Sequence, residues 1–245
     1  FRRHGFGGSL PIHALIGCLR PRLTAPRQFE SPSIRLVSAM GLLRPSRVFA
    51  FLVLGSMLAS GGNAQTQPAA CVLTNTSVRT TLDGGQTLIV GGVVAGGTKS
   101  ILVRAGGPAL TAYGLAGLAD PQLELYRTGS SPVAQNDNWE VSLAPIFAAA
   151  GAFPFASGSK DSALYSAVSG TFTAQAKGPG SGVVLVEVYD PAPVGTARLI
   201  NLSARNRVGT GANILIAGFA LSGSGTVQLL IRAVGPGLSQ FGVTG

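Results

Sequence analysis

Residues 170–190 read GTFTAQAKGPGSGVVLVEVYD, and the side chains change character at every second position. Phe172, Ala174 and Ala176 share one face of an extended chain, while Thr171, Thr173, Gln175 and Lys177 share the other. That alternation predicts a strand with one buried and one wetted side. In the next run Val184, Val186 and Val188 alternate with Val183, Leu185, Glu187 and Tyr189, which predicts a central strand.

The same texture extends outward from this stretch. After Ala64 the chain is rich in Gly, Ser, Thr, Val and Ala, with short alternating runs between glycine-rich turns; Leu123 and Leu125 share a face in PQLELY. Many short strands of this kind predict an all-β fold, an antiparallel sandwich or barrel. A short helix is expected over 142–153, limited by Pro145 and Gly151. Glycine pairs at 84–85, 91–92, 96–97 and 106–107 lack the spacing of a phosphate loop and read as turns and bulges.

One long period is written into the chain. LTNTSVR (73–79) aligns with LINLSAR (199–205), TLIVGGVVAGG (87–97) with NILIAGFALSG (213–223), and ILVRAGGPAL (101–110) with LLIRAVGPGL (229–238). Asn75, Ser77 and Arg79 thus correspond to Asn201, Ser203 and Arg205, and Arg104 to Arg232. The period has the size of a whole domain. The expected layout is a β-sandwich unit at 72–190, a linker at 191–197, and a second unit begun at 198–245 as part of a longer repetitive protein. RLINLSAR is expected to pack on the first unit, with 207–245 left as open edges.

The net charge of +9 is concentrated at one end. Residues 1–64 hold eight arginines and one acid, Glu30; the remaining ten basic and eight acidic residues leave only +2. A nucleic-acid partner is therefore not expected. From Met40 the sequence MGLLRPSRVFAFLVLGSMLASGGNAQ has a charged start (Arg44, Arg47), an apolar run of 12 residues and a small-residue site before Gln65. This predicts a signal peptide at 40–64, a doubtful upstream segment at 1–39, a linker at 65–71, and an exported, extracellular or cell-surface location. The apolar run is too short to span a bilayer, so no transmembrane span is expected in the mature chain. Cys71 is the only cysteine after residue 64, which leaves no partner there for an internal disulfide.

His4 and His13 are the only histidines, so triad catalysis and histidine-ligated metals are excluded from the body of the chain. Its carboxylates are Asp83, Asp120, Glu124, Asp137, Glu140, Asp161, Glu187 and Asp190; a glycosidase needs two of them suitably spaced, but none sits in a recognisable catalytic context. Asn136, Asp137 and Asn138 in AQNDNWE offer the hard oxygens that Ca²⁺ takes, and equally the pattern of an Asx turn. Trp139 reads as a core plug or a carbohydrate platform. The repeated Asn–Ser–Arg face reads as structural, its arginine meeting Glu187 or Asp190.

Taken in order, NxSxR, LIxGxxxxG, LIRAxGPxL, LADPxLELY, NDNW, GxFTxxxxG and VLVEVYD resemble a repeat of large surface or secreted proteins of Gram-negative bacteria. Residues 118–190 are also similar to bacterial pre-peptidase C-terminal domains, which implies a jelly-roll-like sandwich. The expected function is a non-catalytic structural or adhesive module beside neighbouring repeat units. The alternatives are a module of an exported enzyme binding glycan or calcium, and a carboxylate-dependent hydrolase. An extracellular glycan or protein is the expected partner.

Overall fold

The computed structural model describes residues 13–18 and 71–243; the signal-peptide reading of 40–64 lies outside the described residues. The chain is mostly antiparallel β-sheet. The strands are β1 (His13–Cys18), β2 (Val72–Leu82), β3 (Leu88–Gly106), β4 (Gln122–Tyr126), β5 (Ala134–Asn136), β6 (Ser162–Lys177), β7 (Gly182–Tyr189), β8 (Arg198–Arg205), β9 (Ile216–Ser222) and β10 (Leu229–Val234). The helix expected over 142–153 is α1 (Ala144–Ala149), started by Pro145 in its first turn and followed by Gly151 at φ 68°. Among the described residues no helix is long and apolar enough to cross a membrane.

β3 and β6 form a long ladder from Leu88↔Ala176 to Ala105↔Ser162, broken by a register shift between Val94 and Lys99. Gly96 and Gly97 sit in that break with positive φ, a conformation open to glycine. There β3 changes its second neighbour: Ile89 to Ala95 pair with β8, whereas Leu102 to Gly106 pair with β7. One ladder continues through β6 to β4 and β5, the other through β7 to β2 and β9.

Both ladders feed one core. Phe172, Ala174 and Ala176 are buried in it as their alternation predicts, and so are Leu123, Leu125, Val184, Val186 and Val188. Each fully buried valine or leucine contributes about 1.5–3 kcal/mol, so this apolar alternation outweighs any single polar contact. A second cluster, Leu102, Trp139, Phe147, Ala152, Phe155, Ala163 and Tyr189, packs where the 137–160 segment covers β3 and β7. The stretch Ile101 to Ala105 is therefore buried on both sides, with every residue at 0 % exposure.

The glycine pairs divide. Gly84 and Gly85 form a turn, but Gly91 and Gly92 lie inside β3, which corrects the expectation of a turn or bulge there. Gly92 faces Phe172 across the ladder, and a Cβ on it would come within 2.7 Å of Phe172 Cε1. The missing side chain makes room for the ring.

The two similar stretches take the same local shape. Pro108–Tyr113 and Pro236–Phe241 are 3-10 helices, each entered through a glycine and ended by one in the left-handed region, Gly114 at φ 73° and Gly242 at φ 72°. Their hydrogen bonds match pair for pair: Leu110 N–H to Gly107 C=O and Leu238 N–H to Gly235 C=O are both 3.0 Å. Strands are exchanged between the stretches, since β2 pairs with β9 and β8 with β3. The pairing thus extends past RLINLSAR into part of 207–245. At the crossing, Asn206 Nδ2 donates to Thr80 Oγ1 at 3.0 Å, joining two positions equivalent in the alignment.

Candidate functional site

A shallow, polar groove of about 340 Å³ runs along β4 and β5, lined by Gln122, Leu123, Glu124, Gln135, Asn136 and Asp137. Alternation places it: Leu123 and Leu125 point into the core, which turns Gln122 and Glu124 outward. Glu124 accepts from Lys177 Nζ at 2.7 Å and from the Tyr126 hydroxyl at 2.8 Å. The Lys177 hydrogen bond, then that of Tyr126, holds the Glu124 carboxyl below its ordinary range. A carboxylate kept ionised in this way is the opposite of a general acid, whose proton must be retained near neutral pH.

The Asn136–Asp137–Asn138 run is pulled into backbone work at its first residue. Asn136 Oδ1 accepts from the Ala163 N–H at 3.0 Å, and Asn136 Nδ2 donates to the Asn138 C=O at 2.8 Å. Asp137 and Asn138 are exposed. Trp139 turns the other way, stacking on Phe147 with ring centroids 5.2 Å apart and donating from Nε1 to the Ala156 C=O at 3.0 Å. It is a core plug. Among the described residues, no group of three or more His, Cys, Asp or Glu side chains converges as a metal site would require.

The charged residues with the deepest burial lie elsewhere. Arg104 donates to Glu187 from Nε at 3.1 Å and from Nη2 at 2.5 Å, and its Nη1 donates to the Phe153 C=O at 2.5 Å. The guanidinium lies over the rings of Phe155, Phe153 and Phe147, between 4.3 and 4.6 Å from their centroids. Tyr189 donates its hydroxyl to Glu187 Oε1 at 2.6 Å; burial first, then the Glu187 charge, pushes the phenol well above its usual range. Lys99 meets Asp190 at 3.2 Å and the carbonyls of Ala192 and Val194. Burial raises the Asp190 carboxyl, an effect opposed by Lys99. Buried Asp161 accepts from the N–H groups of Gly107 and Ala109, at 2.7 and 3.1 Å, and so clamps the turn after β3.

These pairings correct the partner expected for Arg79. Glu187 and Asp190 belong to Arg104 and Lys99, and Arg79 stands opposite Leu185 and Ile216. The repeated serines pack against glycines across the exchange: Ser77 faces Gly218, and Ser203 faces Gly91. Asn75 Nδ2 reaches the Val188 C=O at 3.5 Å. A charged residue inside ILVRAG was the one sequence signal for the Arg104 cluster, because an arginine amid apolar neighbours needs a buried acceptor. Nothing local announced Glu187 as that acceptor.

No family model, curated protein or solved structure matches the chain.

Proposed function

We propose that this chain is a non-catalytic, exported structural or adhesive module, a two-layered jelly-roll-like sandwich used repeatedly within a larger surface protein. The matching conformation of Gly107–Leu115 and Gly235–Val243 carries the repeat part of this reading. The non-catalytic part is supported by the occupation of the carboxylates: Glu187, Asp190, Asp161, Asp120 and Glu124 each hold a cation, a turn or both. Export rests on the order of charge, apolar run and small residues from Met40 to Gln65. The test is expression in a Gram-negative host with N-terminal sequencing and protease shaving of intact cells. The reading expects an N-terminus at or near Gln65 and surface-accessible protein; retention inside the cell with an uncut N-terminus overturns it.

A second reading, a glycan-binding accessory module, is favoured by the groove along β4 and β5, where Gln122, Gln135 and Glu124 offer donors and acceptors of the kind sugar hydroxyls use. A pull-down on insoluble polysaccharides separates the two. Retention lost on Gln135→Ala supports the accessory module, and no retention supports the structural one.

A further inference from the structure

We propose that the position between β8 and β10, held in this structure by β1, is a strand-acceptor slot, and that its fitting occupant is a peptide strand of the β7 pattern with a carboxylate facing Arg232. The inference rests on the reading of 198–243 as a second copy and is independent of where the protein acts.

The first copy supplies the template. There β7 lies between β2 and β3, and each of its residues faces one partner on either side. Val186 faces Val78 and Ala105, Glu187 faces Ser77 and Arg104, and Val188 faces Thr76 and Val103. The second copy has the two flanking strands, β8 for β2 and β10 for the latter half of β3. Those strands are not bonded to each other; β1 lies between them. Ala14 faces Ala204 and Ala233, Leu15 faces Ser203 and Arg232, and Ile16 faces Leu202 and Ile231. Under the alignment each of these pairs is the counterpart of a β7 pair, in the same order and the same antiparallel sense. β1 therefore occupies the β7 position residue for residue.

The fit of β1 is incomplete in one respect. At the position of Glu187, which holds Arg104, β1 carries Leu15 opposite Arg232. Arg232 is exposed, whereas Arg104 is at 0 % exposure. Leu230 and Ile231 remain 46 % and 62 % exposed, although Leu102 and Val103 in the first copy are fully buried. A strand with a carboxylate at the Leu15 position satisfies the ladder through its backbone and adds charge-assisted hydrogen bonds to Arg232.

The test uses the full chain and a labelled peptide GVVLVEVYD, the sequence of residues 182–190. Ile16→Pro withdraws β1 from a central position where proline is not tolerated. Anisotropy titrations are expected to show at least about tenfold tighter peptide binding to Ile16→Pro than to the unaltered chain. A peptide with lysine in place of its glutamate should lose about tenfold and regain it on an Arg232→Glu chain, as expected for a specific charge pair. The charge-reversal arm also runs on chains that retain β1, so it stands if Ile16→Pro does not fold. Hydrogen exchange should place the peptide's protection on β8 and β10. Binding indifferent to the charge reversal, or protection at the β9 edge instead, overturns the slot. Should Ile16→Pro expose the β8 and β10 amides while the peptide fails to bind, the slot is refuted and the copy reading stands. Should the β10 amides stay protected in a folded Ile16→Pro chain without peptide, the copy reading itself fails.

Discussion

Glu187→Ala is the sharpest test of how this fold is held together. The substitution leaves Arg104 between its aromatic rings and in contact with the Phe153 C=O, but removes the carboxylate that balances its charge. It also strips the Tyr189 hydroxyl of its acceptor. Breaking a buried ion pair from one side costs about 3–5 kcal/mol, a large part of the roughly 5–15 kcal/mol by which domains are stable. With a urea dependence of about 2 kcal/mol per M, the unfolding midpoint should fall by about 1.5–2.5 M. Three companions isolate the cause. Glu187→Gln keeps the shape and an acceptor and should fall between the unaltered chain and Glu187→Ala. The double variant Arg104→Met/Glu187→Leu orphans no charge and should be more stable than Glu187→Ala alone. Arg232→Met, at the matching but exposed position, should change stability by no more than about 0.5 kcal/mol. The reasoning is refuted if Glu187→Ala shifts the midpoint by less than about 0.5 M, a shift too small for a buried pair. It is equally refuted if Arg232→Met costs as much as Glu187→Ala.

Gly92→Ala should destabilise by about 1–3 kcal/mol through overpacking against Phe172, while Gly218→Ala, whose Cβ meets only Ser77 Oγ at 3.0 Å, should cost less; paired urea melts decide this. Glu124 is held below its ordinary value of 4.5, so its contribution to stability is present above that pH and lost as the pH falls through the lower folded value. Lys177→Met should flatten that acid limb in denaturation profiles between neutral pH and pH ~3, whereas Asp190, raised by burial, acts with the opposite sign and is common to both chains. Because Asn136 is already tied to backbone on both sides, adding Ca²⁺ or a chelator should move the melting temperature by less than about 2 °C, as should Asp137→Ala. A calcium-dependent rise abolished by Asp137→Ala would establish the ion site.

Alternation made much of the fold legible. Phe172, Ala174 and Ala176, then Val184, Val186 and Val188, could be assigned to a buried face because a strand's side-chain period is fixed by its backbone. The short helix was equally local, bounded by Pro145 and Gly151. Pairing was not local. Gly91–Gly92 resembles a chain breaker until Phe172 is known to lie across from it, and that neighbour is set by a long-range ladder whose register shift falls at Gly96–Gly97. Glu187 and Tyr189 looked like the second face of a central strand, with no indication that Arg104 and the rings of Phe147 and Phe155 would close over them. The polar site is legible only as a composition: the sequence shows Asn136, Asp137 and Asn138 as adjacent oxygens, but the use of Asn136 by Ala163 depends on where β6 begins.

The exchange of β2 with β9 sets the order in which the molecule can be completed. β2 lies well ahead of its partner in the chain, with Thr74 bonding to Ala220 across a separation of 146 residues. As the polypeptide emerges from its N-terminus, β6 can pair with β3 and β7 with β2 once each has been made, yet the other edge of β2 has nothing to bond until β9 follows. Joining segments this distant requires chain entropy to be lost before any contact compensates it, which places folding in the slow range typical of all-β topologies. An early strand with a late partner spends that interval as an unpaired edge, open to any extended chain nearby.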